Sequence, residues 1–289
     1  MGKKEIGRRT LLKGAGAVTL LVVGGSAWRA VDQGVFSSGQ GAAYEPWQDW
    51  QNDDLEWPLI LVKAAILAAN PHNTQPWLFR VTASRIEVFA DTHRNLGAMD
   101  VYLREMHIGL GCAVENMLLA AQANGYETQL TLIPGTLPDV SNSTPILAAT
   151  LDLSPGETVV SELYTAIPHR HTDRAPYDAA HVVTTTDREA LKTLSNGHPD
   201  VKVFLLTSEE KRTQFTEGSI QATKDIIDDA IMAHDSAEWF RHSWKDVQQY
   251  KDGPYIDTAG VSPMMRVLVK MLPPVSEETE NKYWLEATA

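Results

Sequence analysis

Apolar and polar positions change period several times along the chain, and each change marks an element. Leu59 to Ala69 is small and apolar at helical spacing. Pro58 suits a first turn, and Asp53, Asp54 and Glu56 ahead of it suit the positive end of a helix dipole. Asn70-Pro71 should end this helix, because proline disfavours helical backbone at the residue before it. Leu78–Ala83 and Arg85–Ala90 read as two strands divided at Ser84. A long helix is predicted over Tyr102–Asn124, with Met106, Gly109, Leu110, Ala113, Met117, Ala120 and Ala121 on one stripe and a stop at Asn124-Gly125. Gly109 and Ala113 lie four apart, so another backbone could approach there. Glu115 and Asn116 interrupt the stripe and need partners if buried. Strands at Thr128–Ile133 and Ile146–Leu151 follow.

Beyond residue 155 the pattern predicts a short helix over Val159–Ile167. Thr186 and Glu189 have capping-box spacing for a helix over Asp187–Leu194, ending at Asn196-Gly197. A strand is expected at Val201–Leu206, and Ser208 caps a long helix to about His234. From Ser236 the periodicity loosens. Trp239, Phe240, Trp244, Tyr250 and Tyr255 cluster before Gly260, and the apolar run Val261–Met271 precedes Pro273-Pro274. Such an aromatic segment, 236–275, suits a flap over a ligand or ordinary packing on the core. The fold class is α+β: an antiparallel-rich sheet flanked by helices, in two complementary halves, 53–155 and 156–289. Residues 36–52 read as a linker. The second half lacks a final core strand, so a longer parent protein is expected.

Charge alters the picture at the start. The formal net charge is -12, which argues against nucleic acid as a partner. The first thirty residues run the other way, with Lys3, Lys4, Arg8, Arg9, Lys13 and Arg29 against Glu5. Gly7-Arg8-Arg9-Thr10-Leu11-Leu12-Lys13 looks like a twin-arginine export signal. The apolar run Gly14–Ala27 that follows is shorter than the roughly 20 residues of a spanning helix, so residues 1–35 read as a leader. Gly25-Ser26-Ala27 and Gly41-Ala42-Ala43 are both candidate cleavage sites; the alternative is an uncleaved anchor. A periplasmic or otherwise exported location follows, with the twin-arginine machinery as a partner. Cys112, the only cysteine, forms no internal disulfide and reads as a small buried hydrophobe.

Two turns carry the candidate chemistry. In Arg170-His171-Thr172-Asp173-Arg174, two guanidinium forks four residues apart with a hydroxyl between them suit a phosphate. His171 can add a donor, and Asp173, alternating with these, is expected to face away. A solvated Arg–Asp loop is the plainer alternative. His107, His169 and His171 lack ligand spacing for a metal, and none is expected. In His72-Asn73-Thr74-Gln75-Pro76-Trp77, the carboxamides of Asn73 and Gln75 offer donors and acceptors that do not titrate. They suit the edge of a planar heterocycle, or equally the backbone groups of the turn itself. Trp77 is expected to fill the core beneath.

The segment Ile66–Val81, ILAANPHNTQPWLFRV, resembles the nitroreductase family's amide signature. Arg170–Tyr177, RHTDRAPY, resembles the same family's phosphate motif, and GLGCAVENMLLAA at 109–121 looks like its central helix. The order is reversed here, with the amide turn first. That is similar to the Acg-type branch, in which two nitroreductase-like halves are fused so that one chain mimics the usual dimer. The resemblance implies one FMN per chain. Arg170, His171, Thr172 and Arg174 would hold its phosphate; Asn73 and Gln75 would meet the flavin from the other half, with Asn70 nearby. It implies an FMN-dependent oxidoreductase acting on a small-molecule donor and an organic acceptor such as a nitroaromatic or quinone. No residue is assigned to hydride transfer. A flavin-binding protein without turnover is the alternative, and a structural protein that binds no flavin is a third.

Overall fold

The computed structural model describes residues 25–50, 55–135, 137, 144–178, 180–196, 199–273 and 276–288. The twin-arginine motif, most of the apolar run behind it, Asp53, Asp54 and Gly197 lie outside the described residues. Among the described residues, no helix is long and apolar enough to cross a membrane. They fall into two compact units: those up to Arg174 together with Asp235–Pro274, and those of 175–234 and 275–289.

The first unit holds helices α1 (residues 25–32), α2 (Glu45–Gln48), α3 (Leu59–Ala65), α4 (Arg104–Ala123) and α5 (Glu162–Ala166). Its sheet has strands β1 (Trp77–Thr82), β2 (Arg85–Ala90), β3 (Tyr126–Leu132) and β4 (Ile146–Pro155). The strands run antiparallel in the order β1-β2-β4-β3, so the chain is α+β with an antiparallel sheet. Strand period 2 decides which side is buried. Ile86, Val88 and Ala90 of β2 and Ala149, Leu151 and Leu153 of β4 are buried, while their neighbours are not. They join one core with the α4 stripe of Met106, Leu110, Ala113, Met117, Ala120 and Ala121, each large side chain contributing roughly 1.5–3 kcal/mol on burial. Trp77 is in that core, 6% exposed, and Cys112 is half-buried against it.

Helix α3 stops at Ala65, four residues before the predicted end. The Ala64 and Ala65 carbonyls accept from Leu67 and Ala68 N–H in tight turns, and Asn116 Nδ2 donates to Ala64 O at 2.9 Å. The polar break in the α4 stripe is therefore the partner that ends α3. Gly109 also has its close neighbour. A Cβ there would meet Asn70 Cβ and Pro71 Cδ, each at 3.2 Å, so α4 lies directly behind the amide turn.

The second unit is helical in its described residues: α6 (Thr185–Thr193), α7 (Glu209–Asp228) and α11 (Glu277–Thr288), with α7 packed on α11. The capping box is Thr184 with Asp187, not Thr186 with Glu189. Thr184 Oγ1 accepts from Asp187 N, and Asp187 Oδ2 accepts from Thr184 N. Glu189 instead pairs with Lys192 across the helix surface. The predicted strand Val201–Leu206 joins no ladder. Without a neighbouring edge its backbone has nothing to pair with, and it lies largely exposed. The helix expected to reach His234 breaks at Asp229, which turns extended. Asp229 Oδ1 accepts from Ile231 and Met232 N–H and starts α8 (Ala230–Glu238). Back in the first unit, α9 (Trp244–Tyr250) and α10 (Pro263–Met271) complete the element order.

Candidate functional site

The turn after α3 is built before any ligand is considered. Asn70 starts a 3₁₀ turn, Pro71–Asn73. Its Oδ1 accepts from Gln75 N at 2.8 Å, and its Nδ2 donates to Ala68 O at 3.2 Å. Gln75 Nε2 donates to Lys251 O at 2.6 Å, and Gly253 N donates to Asn73 O at 3.2 Å. His72, Asn73 and Gln75 all adopt positive φ, 43°, 53° and 51°. Left-handed backbone at non-glycine residues persists where the surroundings over-determine it, and here the 251–253 loop does so. Of the three carboxamides, only that of Asn73 has no partner among the described residues. The predicted ring-edge group Gln75 thus holds the turn to the 251–253 loop, and Asn70 ties the turn to itself.

That loop is anchored in turn by a buried charge cluster. Asp252, 6% exposed, accepts from Arg94 Nη2 and from Arg241 Nε and Nη2, the latter two at 2.9 and 2.6 Å. Arg94 Nε also donates to Thr74 O. The aromatic segment packs around this cluster: Trp239 Nε1 donates to Asn95 O at 3.0 Å, Arg241 lies over Tyr250, and Phe240 meets His72.

The basic turn and the amide turn line one cavity of about 510 Å³. Asn70 and Asn73 contribute from the amide turn, and Arg170, His171, Thr172 and Arg174 from the basic turn. Gln75 does not line it. Asp173 does, against the expectation that it faces away. Arg170 Nη2 donates to Leu67 O at 3.0 Å, but its Nε is buried with no partner. Arg174 Nη1 reaches only Thr258 O, at 3.3 Å.

The stretch read as a linker supplies a wall that no sequence signal announced, and the aromatic segment, read as a flap over a ligand or as packing on the core, supplies another. Tyr44 and Trp47 come from the stretch read as a linker; Lys251, Tyr255, Asp257 and Arg266 come from the aromatic segment and α10. Single residues of ordinary type carry no spacing signal, and only Gly253-Pro254 hinted at a turn here. The wall's buried carboxylates are neutralised from behind, Asp252 by Arg94 and Arg241, Asp257 by Lys270 at 2.7 Å. Arg170, Arg174, Lys251 and Arg266, the last 3.9 Å from Asp257, outnumber the one further wall carboxylate, Asp173, and leave the cavity positive in a chain whose net charge is -12. Burial, then the neighbouring Arg170 and His169, hold the His171 pKa below its usual value. Burial, then Arg174, do the same to His72. Burial and Asp257 push Tyr44 up to about 12, so its hydroxyl keeps its proton.

Two proteins of Mycobacterium tuberculosis (strain ATCC 25618 / H37Rv) are similar to this chain. One, "Putative NAD(P)H nitroreductase Rv3131", is 29% identical over 124 residues, 43% of this chain and 35% of that protein. The other, "Putative NAD(P)H nitroreductase acg", is 29% identical over 119 residues, 40% and 34% respectively. The chain spans about a third of the length of these curated relatives. No protein-family model matches it.

The distant, partial likeness agrees at the level of family name with the resemblance read from the motifs. Chemically, the cavity offers a cationic end with an unsatisfied guanidinium nitrogen, a free carboxamide, and aromatic walls. It can bind an anionic ligand that carries a polar-edged ring. The described residues leave no pair of carboxylates free on its walls for acid–base work.

Proposed function

We propose that this chain binds FMN in the cavity between the Asn70–Gln75 and Arg170–Arg174 turns and acts as an oxidoreductase of the nitroreductase type. The observation that carries this reading is Arg170, whose buried Nε has no hydrogen-bond partner and which lines the same cavity as Asn73 with its unpartnered carboxamide. An unsatisfied buried donor is costly, and a phosphate oxygen would satisfy it. The volume lies within the range of about 300–1,000 Å³ of small-ligand sites. The positive field favours a phosphate ester, and the relatives' printed names support the coarser nitroreductase reading.

On this reading Arg170, Arg174 and the Thr172 hydroxyl hold the phosphate, and Asn73 meets the ring edge. Asn70 and Gln75 keep Asn73 in place rather than touching the ligand. The two arginines, which hold their charge at any physiological pH, supply the charge. When bound, FMN supplies the electron transfer, from a small-molecule donor to an organic acceptor such as a nitroaromatic or quinone. The two turns of one chain then play the parts that two subunits play in the family, and the leader implies export by the twin-arginine route. The test is a titration of folded full-length protein with FMN, then reduction by added donor and reoxidation by a nitroaromatic. One FMN bound per chain and recovery of the oxidised spectrum are expected. A protein that stays colourless after FMN is added overturns the proposal.

A further inference from the structure

The cavity has a wall that neither motif supplies. It comes from residues 38–48, which lie ahead of both turns and are fastened at several points. Ser38 Oγ donates to Asp257 Oδ1 at 2.9 Å, and Lys270 Nζ reaches Ser38 Oγ at 3.1 Å and Gly34 O at 3.0 Å. Gln248 accepts from Ala43 N at 3.2 Å and donates to Gln40 O at 3.1 Å. Gly41 has φ +89°, and a Cβ there would lie 2.3 Å from Gln248 Oε1. A Cβ on Gly34, at φ +59°, would run into the Trp244 ring. Two glycines are thus required where the strap passes α9.

The strap ends by delivering Trp47. Its ring centroid lies 5.6 Å from that of His171, with the planes 32° apart. Its Nε1 is buried and has no hydrogen-bond partner, although a buried indole N–H ordinarily finds one. Trp47 and His171 both line the cavity, and His171 sits between Arg170 and Thr172. Three residues lining this cavity thus carry a buried donor with no hydrogen-bond partner, Trp47 Nε1, Arg170 Nε and Arg266 Nε, and of these Arg266 Nε has a carboxylate oxygen of Asp257 3.9 Å away.

Building on the proposed FMN site, we infer that Trp47 is a ligand-binding residue: its indole N–H donates to the phosphate held by Arg170 and Arg174. The indole packs against the His171 imidazole in a tilted contact and keeps it beside that phosphate. The strap makes the anion site complete only when it is docked, so selectivity for a phosphorylated over an unphosphorylated flavin rests partly on a residue outside both motifs.

The test compares Trp47→Phe with the unaltered full-length protein by flavin-fluorescence titration, using FMN and riboflavin side by side. Phenylalanine keeps an aromatic ring at this position and removes the N–H together with part of the indole's bulk, and the riboflavin arm reports the effect of the lost bulk. FMN affinity should fall about tenfold, the loss of one hydrogen bond to a charged acceptor, while riboflavin affinity and the melting temperature stay put. Unchanged FMN affinity in the variant overturns the inference, and so does an equal loss for both flavins, which would place the N–H on the ring. If the unaltered protein itself prefers neither flavin, the phosphate assignment of the proposed function fails first. A second variant, Gln248→Ala, loosens the strap without touching Trp47. It should narrow the FMN-to-riboflavin preference in the same direction, and an unchanged preference counts against the strap.

Discussion

The amide turn and the basic turn face one cavity but are made in opposite ways. At Asn70–Gln75 two of the three carboxamides are spent on the backbone, and the carbonyls of Asn73 and Thr74 are taken by Gly253 and Arg94. At Arg170–Arg174 the guanidiniums reach two carbonyls, and Arg170 Nε reaches nothing. Residues 171–174 are exposed. One turn is complete as folded; the other has donors left over. If the basic turn binds the ligand as proposed, substitutions on the two sides should move different quantities.

The largest effect is expected behind the amide turn. Asp252→Asn leaves Arg94 and Arg241 facing a neutral group in a buried site. Removing one partner of a buried ion pair costs about 3–5 kcal/mol, measurable as a lower midpoint in urea unfolding. Next, Arg170→Ala or Arg174→Ala should each weaken FMN binding by about 1.5–3 kcal/mol, the range for hydrogen bonds to charged groups, with little change in unfolding midpoint for Arg174→Ala and a modest fall for Arg170→Ala, which also frees the Leu67 carbonyl. Asn70→Ala is the mirror case. It frees Gln75 N and should lower stability by about 1–3 kcal/mol, with affinity falling only as the turn loosens. If Asn70→Ala and Arg170→Ala proved indistinguishable in both assays, the division between the turns would be wrong. Asn73→Gly sharpens it further: glycine accepts φ 53° without strain, so stability should hold while FMN affinity drops.

The smallest effect concerns pH. His72 has its pKa lowered by burial and by Arg174, so between the folded and unfolded values the unfolded chain binds more protons. Stability should be level above about pH 6.5, the ordinary histidine value, and decline as pH falls below it. His72→Asn, a residue tolerant of left-handed backbone, should flatten part of that decline. A profile identical in the variant would assign the slope to other groups.

These contrasts also explain what could be read from the sequence. Local pattern located β1, β2, β4 and α4 to within a few residues, because each carries a full period of apolar positions on one face. Both turns were legible because proline, carboxamides and paired arginines are dense there. What the sequence hid was long-range. Nothing near Gln75 says that its carboxamide is used by Lys251, 176 positions away. Nothing at Trp47 reveals His171 as its neighbour. Val201–Leu206 has strand composition, yet a strand requires an edge to pair with, and local pattern cannot supply one. The capping box moved by two residues because Thr184 with Asp187 and Thr186 with Glu189 share the same spacing, and only the backbone conformation chooses between them.

On the proposed reading the basic turn, with the buried unpartnered Nε of Arg170, holds the phosphate of FMN. FMN affinity is to be measured on the full-length protein beside the double variant Arg170→Ala/Arg174→Ala, with melting temperatures taken on the same samples. The variant should lose about a hundredfold or more in affinity, with only the modest fall in melting temperature that follows from freeing the Leu67 carbonyl. Equal flavin affinity in the two proteins would rule out this role for the basic turn.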